Sequence, residues 1–305
     1  MASQQPECDA AAGPRATALT ASMTESPIGV FDSGIGGLSV LQALQVALPA
    51  EHFVYWADSG HAPYGEKSDI FVRQRSLAIA QHLVEQHHIK ALVVACNTAT
   101  AAAIHELRAQ HPHLPLIGVE PALKPAIALS QTKRIGVIGT QGTLASEKFH
   151  RLLDSLQDQA EFVVQACNGL ALAIEQSTHA ASHGPHFAKV RELLRHYTGQ
   201  MGRFGSTPGD MDTLVLGCTH YVFAQDELRA LLGPDVQLVS TGEPVARQTR
   251  RLLESAGQLR RGPAPHTASA RIKLQTNGDL GALQAAAQRW LKLPHSVCHT
   301  ADPHV

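Results

Sequence analysis

The sequence has no excess of charge of either sign. Lys and Arg number 25 against 26 Asp and Glu, a formal net charge of −1 with histidine neutral. It therefore lacks the strongly basic footprint of nucleic-acid binders, and no nucleic-acid partner is expected. No apolar run approaches the ~20 residues that span a bilayer, so no membrane partner is expected either. Cysteine is sparse. Cys8, Cys96, Cys167, Cys218 and Cys298 are odd in number, widely spaced and without a CxxC pair. That pattern argues against a disulfide framework and suits a reducing, cytoplasmic compartment. Despite 18 histidines there is no HExxH and no Cys/His cluster with zinc spacing, so no metal is expected. Residues 1–26 are rich in Ala, Ser, Thr and Gln and have no apolar h-region. They read as a flexible tail rather than a secretory signal, with Met23 as an alternative start.

What is present is a foldable α/β pattern. Hydrophobic residues make up 44% and charged residues 17% of 305, enough for a real core and a prior of two domains. Short apolar runs read as strands at Ile28–Phe31, Phe53–Trp56, Ala91–Ala95, Leu116–Val119, Arg134–Ile138, Phe162–Gln165, Thr213–Leu216, Gln237–Val239 and Arg271–Gln275. Helical stretches lie between them, at Ile70–Gln86, Ala99–Gln110, Thr143–Leu156 and Pro244–Ser255. Gly199–Asp210 and Gly257–Ala268 read as loops. Strand–helix alternation predicts parallel, doubly wound sheets, with sites at the carboxyl ends of the strands.

The chain also carries a weak internal repeat. Ile28-Gly29-Val30-Phe31-Asp32-Ser33-Gly34 opens the first half, and Ile135-Gly136-Val137-Ile138-Gly139-Thr140-Gln141 opens the second. Leu92-Val93-Val94-Ala95-Cys96-Asn97-Thr98 is matched by Leu214-Val215-Leu216-Gly217-Cys218-Thr219-His220. Duplicated units would put Cys96 and Cys218 at equivalent strand ends. If the halves pack face to face, both thiols point into one cleft. Inert burial is the commonest fate of a cysteine, and the paired context is what raises these two above it. Each precedes a helix-like segment, whose N-terminus favours thiolate and can bind carboxylates.

Each cysteine has a proton partner in the sequence. His220 lies two residues after Cys218, and Asp32 ends the first strand at the sheet edge of Cys96. A redox pair would need sulfurs at bonding distance. Two thiols flanking a substrate carbon at ~3–3.5 Å would instead sit roughly 6–7 Å apart. One would remove a proton and the other return one to the opposite face, inverting the carbon without a cofactor. A carbon-bound proton next to a carboxylate is far less acidic than a thiol of pKa about 8.5. The cleft must therefore stabilise developing negative charge with donors in a water-poor space, for which domain closure is expected.

The loop Gly34-Ile35-Gly36-Gly37-Leu38-Ser39 has a rival reading. It follows a strand and opens a helix, with Asp58 at the end of the next strand, as in a nucleotide-dependent oxidoreductase. Ser39 takes the third glycine position, Asp32 would repel a pyrophosphate, and no Walker lysine is present. A third reading keeps the fold as a binding protein without turnover. Retention of both cysteines, Asp32 and His220 argues against it.

The runs PIGVFDSGIGGLSVL (Pro27–Leu41), YWADSGHAPYGEKS (Tyr55–Ser68), VVACNTATA (Val93–Ala101), GVEPALKPA (Gly118–Ala126), IGVIGTQGTLAS (Ile135–Ser146) and LVLGCTHY (Leu214–Tyr221) together resemble the glutamate racemases. The resemblance implies two pseudo-symmetric α/β domains with the site between them. The first would hold residues 27–121 and 235–305, the second 122–234. It implies cofactor-independent interconversion of L- and D-glutamate, supplying D-glutamate for peptidoglycan in the cytoplasm. By the family pattern Cys96 is the base toward D-glutamate and Cys218 the base toward L-glutamate. Asp32 assists Cys96, His220 assists Cys218, and Glu175 in ACNGLALAIEQ matches the acid behind the histidine. Substrate contacts carry over to Ser33, Pro63, Tyr64, Gly65, Asn97, Thr98, Thr140, Thr143 and Thr219. These donors suit two carboxylates without a large positive charge. A sister reading is a racemase of aspartate. A homodimer is compatible with the family, without a readable geometry. The family commonly reads CTHYP after the second strand, and here Val222 replaces that proline, beside His220.

Overall fold

The fold is that of a computed structural model, which describes residues 24–179, 185–263 and 267–302. Most of the expected tail, with Cys8 and Met23, lies outside these residues, as does part of the loop Gly257–Ala268.

Among the described residues ten strands form two sheets. The first holds β1 (Ile28–Asp32), β2 (Phe53–Ala57), β3 (Ala91–Val94), β4 (Leu116–Gly118), β9 (Ile272–Thr276) and β10 (Cys298–Thr300), in the order β10-β9-β2-β1-β3-β4. The second holds β5 (Arg134–Gly139), β6 (Glu161–Ala166), β7 (Thr213–Gly217) and β8 (Gln237–Val239), in the order β6-β5-β7-β8. Every strand pair is parallel. The order β2-β1-β3-β4 thus repeats as β6-β5-β7-β8, which is the internal repeat expressed as topology. The nine expected strands are all present. No helix among the described residues is long and apolar enough to cross a membrane.

Both faces of each sheet are covered, which is why the strands read as apolar runs rather than alternating ones. Ile28 and Val30 of β1 pack into one cluster with Leu38, Leu41 and Leu44 of α1 (Leu38–Ala47). Phe31, one residue on, points into the opposite cluster. That cluster includes Ile79 and Leu83 of α2 (Asp69–His87) and Ile104 and Leu107 of α3 (Asn97–Gln110). Each such side chain contributes about 1.5–3 kcal/mol of burial. Two further clusters flank the second sheet.

The expected boundaries shift in four places. Thr143–Leu156 is two helices, Gln141–Leu144 and Glu147–Asp154, because Ser146 caps the second by accepting the Phe149 N–H at 3.2 Å. Gly199–Met201 belongs to a helix, Pro185–Met201, held by burial of Met201 rather than released as loop. Strand β10 has no apolar run, since His299 and Thr300 are exposed, and exists only by pairing with β9. Strand β8 lies beyond the crossing expected at Pro234 yet pairs with β7, completing the second sheet as β4 completes its half of the first.

Candidate active site

Cys96 follows β3 and caps α3, its sulfur accepting the Ala99 N–H at 3.5 Å. Its S–H donates to the Ser33 hydroxyl at 3.7 Å, and Ser33 in turn donates to Asp32 Oδ1 at 3.3 Å. The same carboxylate oxygen accepts the Gly34 N–H at 2.8 Å, and Oδ2 accepts the Thr219 hydroxyl at 3.1 Å. Burial lifts the Asp32 carboxyl to about 6, against the pull of nearby His220 and the Gly34 N–H. Burial also lifts the Cys96 thiol to about 12, with Asp32 and Cys218 pushing the same way and Ala99 and Ser33 against. Cys96 thus rests protonated, with a hydrogen-bonded route through Ser33 to a carboxylate.

Cys218 follows β7, as Cys96 follows β3. Its sulfur lies 3.7 Å from His220 Nδ1, and His220 Nε2 lies 2.5 Å from Glu175 Oε2. Glu175 comes from the helix Leu170–Gln176. Burial opposes a charge on His220, but the hydrogen bonds to Cys218 and Glu175 outweigh it and hold the imidazole pKa well above its ordinary value. With Val222 in place of the usual proline, the ring still reaches both partners. The two thiols therefore have different hydrogen-bond partners: a carboxylate through a hydroxyl for Cys96, an imidazole backed by a carboxylate for Cys218.

The two halves meet over these groups. Thr98 from the first lies 3.0 Å from Thr140 and 3.3 Å from Thr143 of the second, and Thr140 and Thr143 are 2.9 Å apart, all oxygen to oxygen. These buried hydroxyls form a triangle, and Thr140 also caps the helix Gln141–Leu144. Gly65 lies directly on it: a Cβ there would come within 2.6 Å of Thr140 Cβ. Asn97 donates to Val119 O at 3.5 Å, while its buried Oδ1 has no protein partner. Pro63 leads into the turn Tyr64–Glu66, and the Tyr64 hydroxyl donates to Asp58. That hydroxyl is committed to a protein carboxylate, so Tyr64 acts here by seating the turn that carries Gly65.

Asp58 was legible only as the acid of the rival nucleotide reading. It is fully buried and accepts from Arg75 at 2.6 and 3.0 Å and from Asn277 at 2.5 Å, besides Tyr64. Those partners occupy the group that would have met a ribose. The glycine loop is likewise filled by the chain itself. Its Gly34 N–H serves Asp32, and its Ile35 N–H serves Glu175 at 3.3 Å to each oxygen. A Cβ at Gly36 would lie 2.3 Å from His220 Nδ1. The glycines let the loop lie against His220 and Glu175, not against a pyrophosphate. Arg75, Asn277 and Ser59 carry no sequence signal, since their partners are distant in the chain.

The fold is two duplicated parallel sheets, with a buried thiol at the matching strand end of each. Residues 28–249 match the Asp/Glu/Hydantoin racemase family, and the chain belongs to that family. It is 44% identical over 282 residues to a glutamate racemase of Ectopseudomonas mendocina, covering 92% of this chain and 98% of that protein. A glutamate racemase of Ralstonia nicotianae is 49% identical over 232 residues, covering 76% of this chain and 79% of that one. The structure resembles glutamate racemase isoform RacE1 from Bacillus anthracis (TM-score 0.77, 32% identity, 92% of this chain and 99% of that one). It also resembles the Escherichia coli glutamate racemase solved with L-glutamate and the activator UDP-MurNAc-ala (TM-score 0.72, 29% identity, 87% and 95%).

Proposed function

We propose that this protein interconverts L-glutamate and D-glutamate by two-base proton transfer between Cys96 and Cys218. The observation that carries the reading is the pair of buried thiols at equivalent strand ends, each with its own proton partner. The likeness to glutamate racemases over nearly the whole chain favours glutamate over aspartate. In the L-to-D direction Cys218, paired with the His220 imidazolium, takes the α-proton as thiolate. Cys96, resting as a thiol, delivers its proton to the opposite face. The reverse direction exchanges these roles, and no electron or group passes through a cofactor.

Carbanion formation demands stabilisation of the developing charge. Ser33, Asn97, the threonine triangle, Thr219 and the Pro63–Gly65 turn supply hydroxyl, amide and backbone donors around the substrate carboxylates. They sit where the halves meet, so closure would both expel water and complete the donor set. We assign the halves by sheet: β1–β4 with β9 and β10, and β5–β8. The product D-glutamate would serve peptidoglycan synthesis in the cytoplasm, where the thiols stay reduced.

The test is racemisation of each pure enantiomer, followed by circular dichroism in reductant without added cofactor. Wild type should turn over both. Cys96→Ala and Cys218→Ala should each lose at least ~10³-fold in both directions, as expected for removal of an essential acid or base. Turnover indifferent to either substitution would refute the reading.

A further inference from the structure

The geometry points to Ser59 as a positioning residue for the Cys218 half of the reaction; this rests on the two-base reading above. Ser59 begins a short turn, Ser59–His61, in the first half of the molecule. Its hydroxyl donates to Glu175 Oε1, in the second half, at 3.2 Å. The Ile35 N–H reaches the same carboxylate at 3.3 Å. Both donors come from the first half, while Glu175 Oε2 faces His220 at 2.5 Å. One carboxylate thus meets the imidazole at Oε2 and the Ser59 hydroxyl at Oε1, with the Ile35 N–H shared between both oxygens.

The turn is not free to drift. Asp58, immediately before it, is held by Arg75, Tyr64 and Asn277. Asn277 Oδ1 accepts the Gly60 N–H at 3.1 Å. Gly278 packs so closely that a Cβ there would lie 2.8 Å from Ser59 Cβ. Packing therefore fixes the Ser59 hydroxyl, which fixes the rotation of Glu175, which aims His220 at Cys218. Without the hydroxyl, the Oε1 side keeps only the Ile35 N–H that it shares with Oε2, and the carboxylate gains freedom to turn.

The experiment uses Ser59→Ala and Ser59→Thr in the full chain, with 2-deuterated L- and D-glutamate. The enantiomers have equal free energies, so kcat/KM must fall equally in both directions and cannot by itself locate the defect. Isotope effects can. Ser59→Ala should lower kcat/KM about 10-fold, the worth of one hydrogen bond to a charged group. Proton transfer at Cys218 then becomes more limiting. The primary isotope effect should rise with deuterated L-glutamate, where Cys218 breaks the C–D bond. It should fall with deuterated D-glutamate, where Cys96 breaks it. Ser59→Thr keeps the hydroxyl and should restore both. Unchanged rates, or a loss in Ser59→Ala without opposed isotope effects, would overturn the assignment, whatever the threonine variant does. A wild type indifferent to Cys218→Ala would instead overturn the two-base reading itself.

Discussion

His220 bridges Cys218 and Glu175 with its two ring nitrogens, Nδ1 at 3.7 Å from the sulfur and Nε2 at 2.5 Å from the carboxylate. The ring is buried, and burial alone would drive it neutral. Its charge therefore depends on its partners. In Glu175→Gln the imidazole pKa should fall, read by ¹⁵N chemical shifts of His220. Activity should fall by about 10²-fold, as expected when a general acid–base partner is disabled. An unshifted His220 titration would show that Glu175 does not hold the proton.

Asp32 titrates the other way about. Burial lifts its carboxyl from an ordinary 3.8 to about 6, so the folded chain binds this proton more tightly than the unfolded chain. Between those values its contribution to stability falls as pH rises, while activity rises as the carboxylate forms. Asp32→Asn should remove both dependences. The measurement is kcat/KM and urea stability from pH 4 to 8, compared as variant minus wild type. A surviving acid limb near pH 6 in the variant would assign that limb elsewhere.

Two glycines lie against different parts of the proposed site. A Cβ at Gly36 would come within 2.3 Å of His220 Nδ1, and one at Gly65 within 2.6 Å of Thr140 Cβ. Gly36→Ala should act mainly on kcat by displacing the ring, and Gly65→Ala mainly on KM for glutamate by displacing the hydroxyl triangle. Each should cost about 1–3 kcal/mol of stability from overpacking. Steady-state kinetics with thermal melts distinguish the two; identical kcat and KM effects would contradict the separation.

Lys90 offers a stability control far from the thiols. It precedes β3, whose opposite end carries Cys96, and its ammonium lies 2.6 Å from Glu51, both side chains being at most 1% exposed. It also donates to Thr24 O at 2.7 Å and Gln258 O at 2.9 Å. Lys90→Met leaves a buried carboxylate and should lose about 3–5 kcal/mol in urea unfolding. Its kcat/KM per folded molecule should match wild type.

Much of the site was legible because its chemistry is local. Asp32-Ser33, Cys96-Asn97-Thr98 and Cys218-Thr219-His220 each follow an apolar strand, and a parallel sheet exposes the residues just past its strand ends. The repeat of apolar runs likewise marked the equivalent positions of both cysteines. Strand β10 was hidden because an edge strand with two exposed residues has no pattern of its own. The extent of the second sheet was hidden because Pro234 breaks the chain locally, whereas sheet membership depends on pairing with β7.

The sequence by itself determined the α/β alternation, the two cysteines at matching strand ends and the polar residues beside them, since each depends on residues a few positions apart. Only the tertiary structure decided that Asp58 is a buried structural acid rather than a ribose ligand, and that Tyr64 spends its hydroxyl there. It alone brought Ser59 to Glu175 across 116 residues of chain. Such contacts join side chains with no shared periodicity, and only the packing of one half against the other sets their distance.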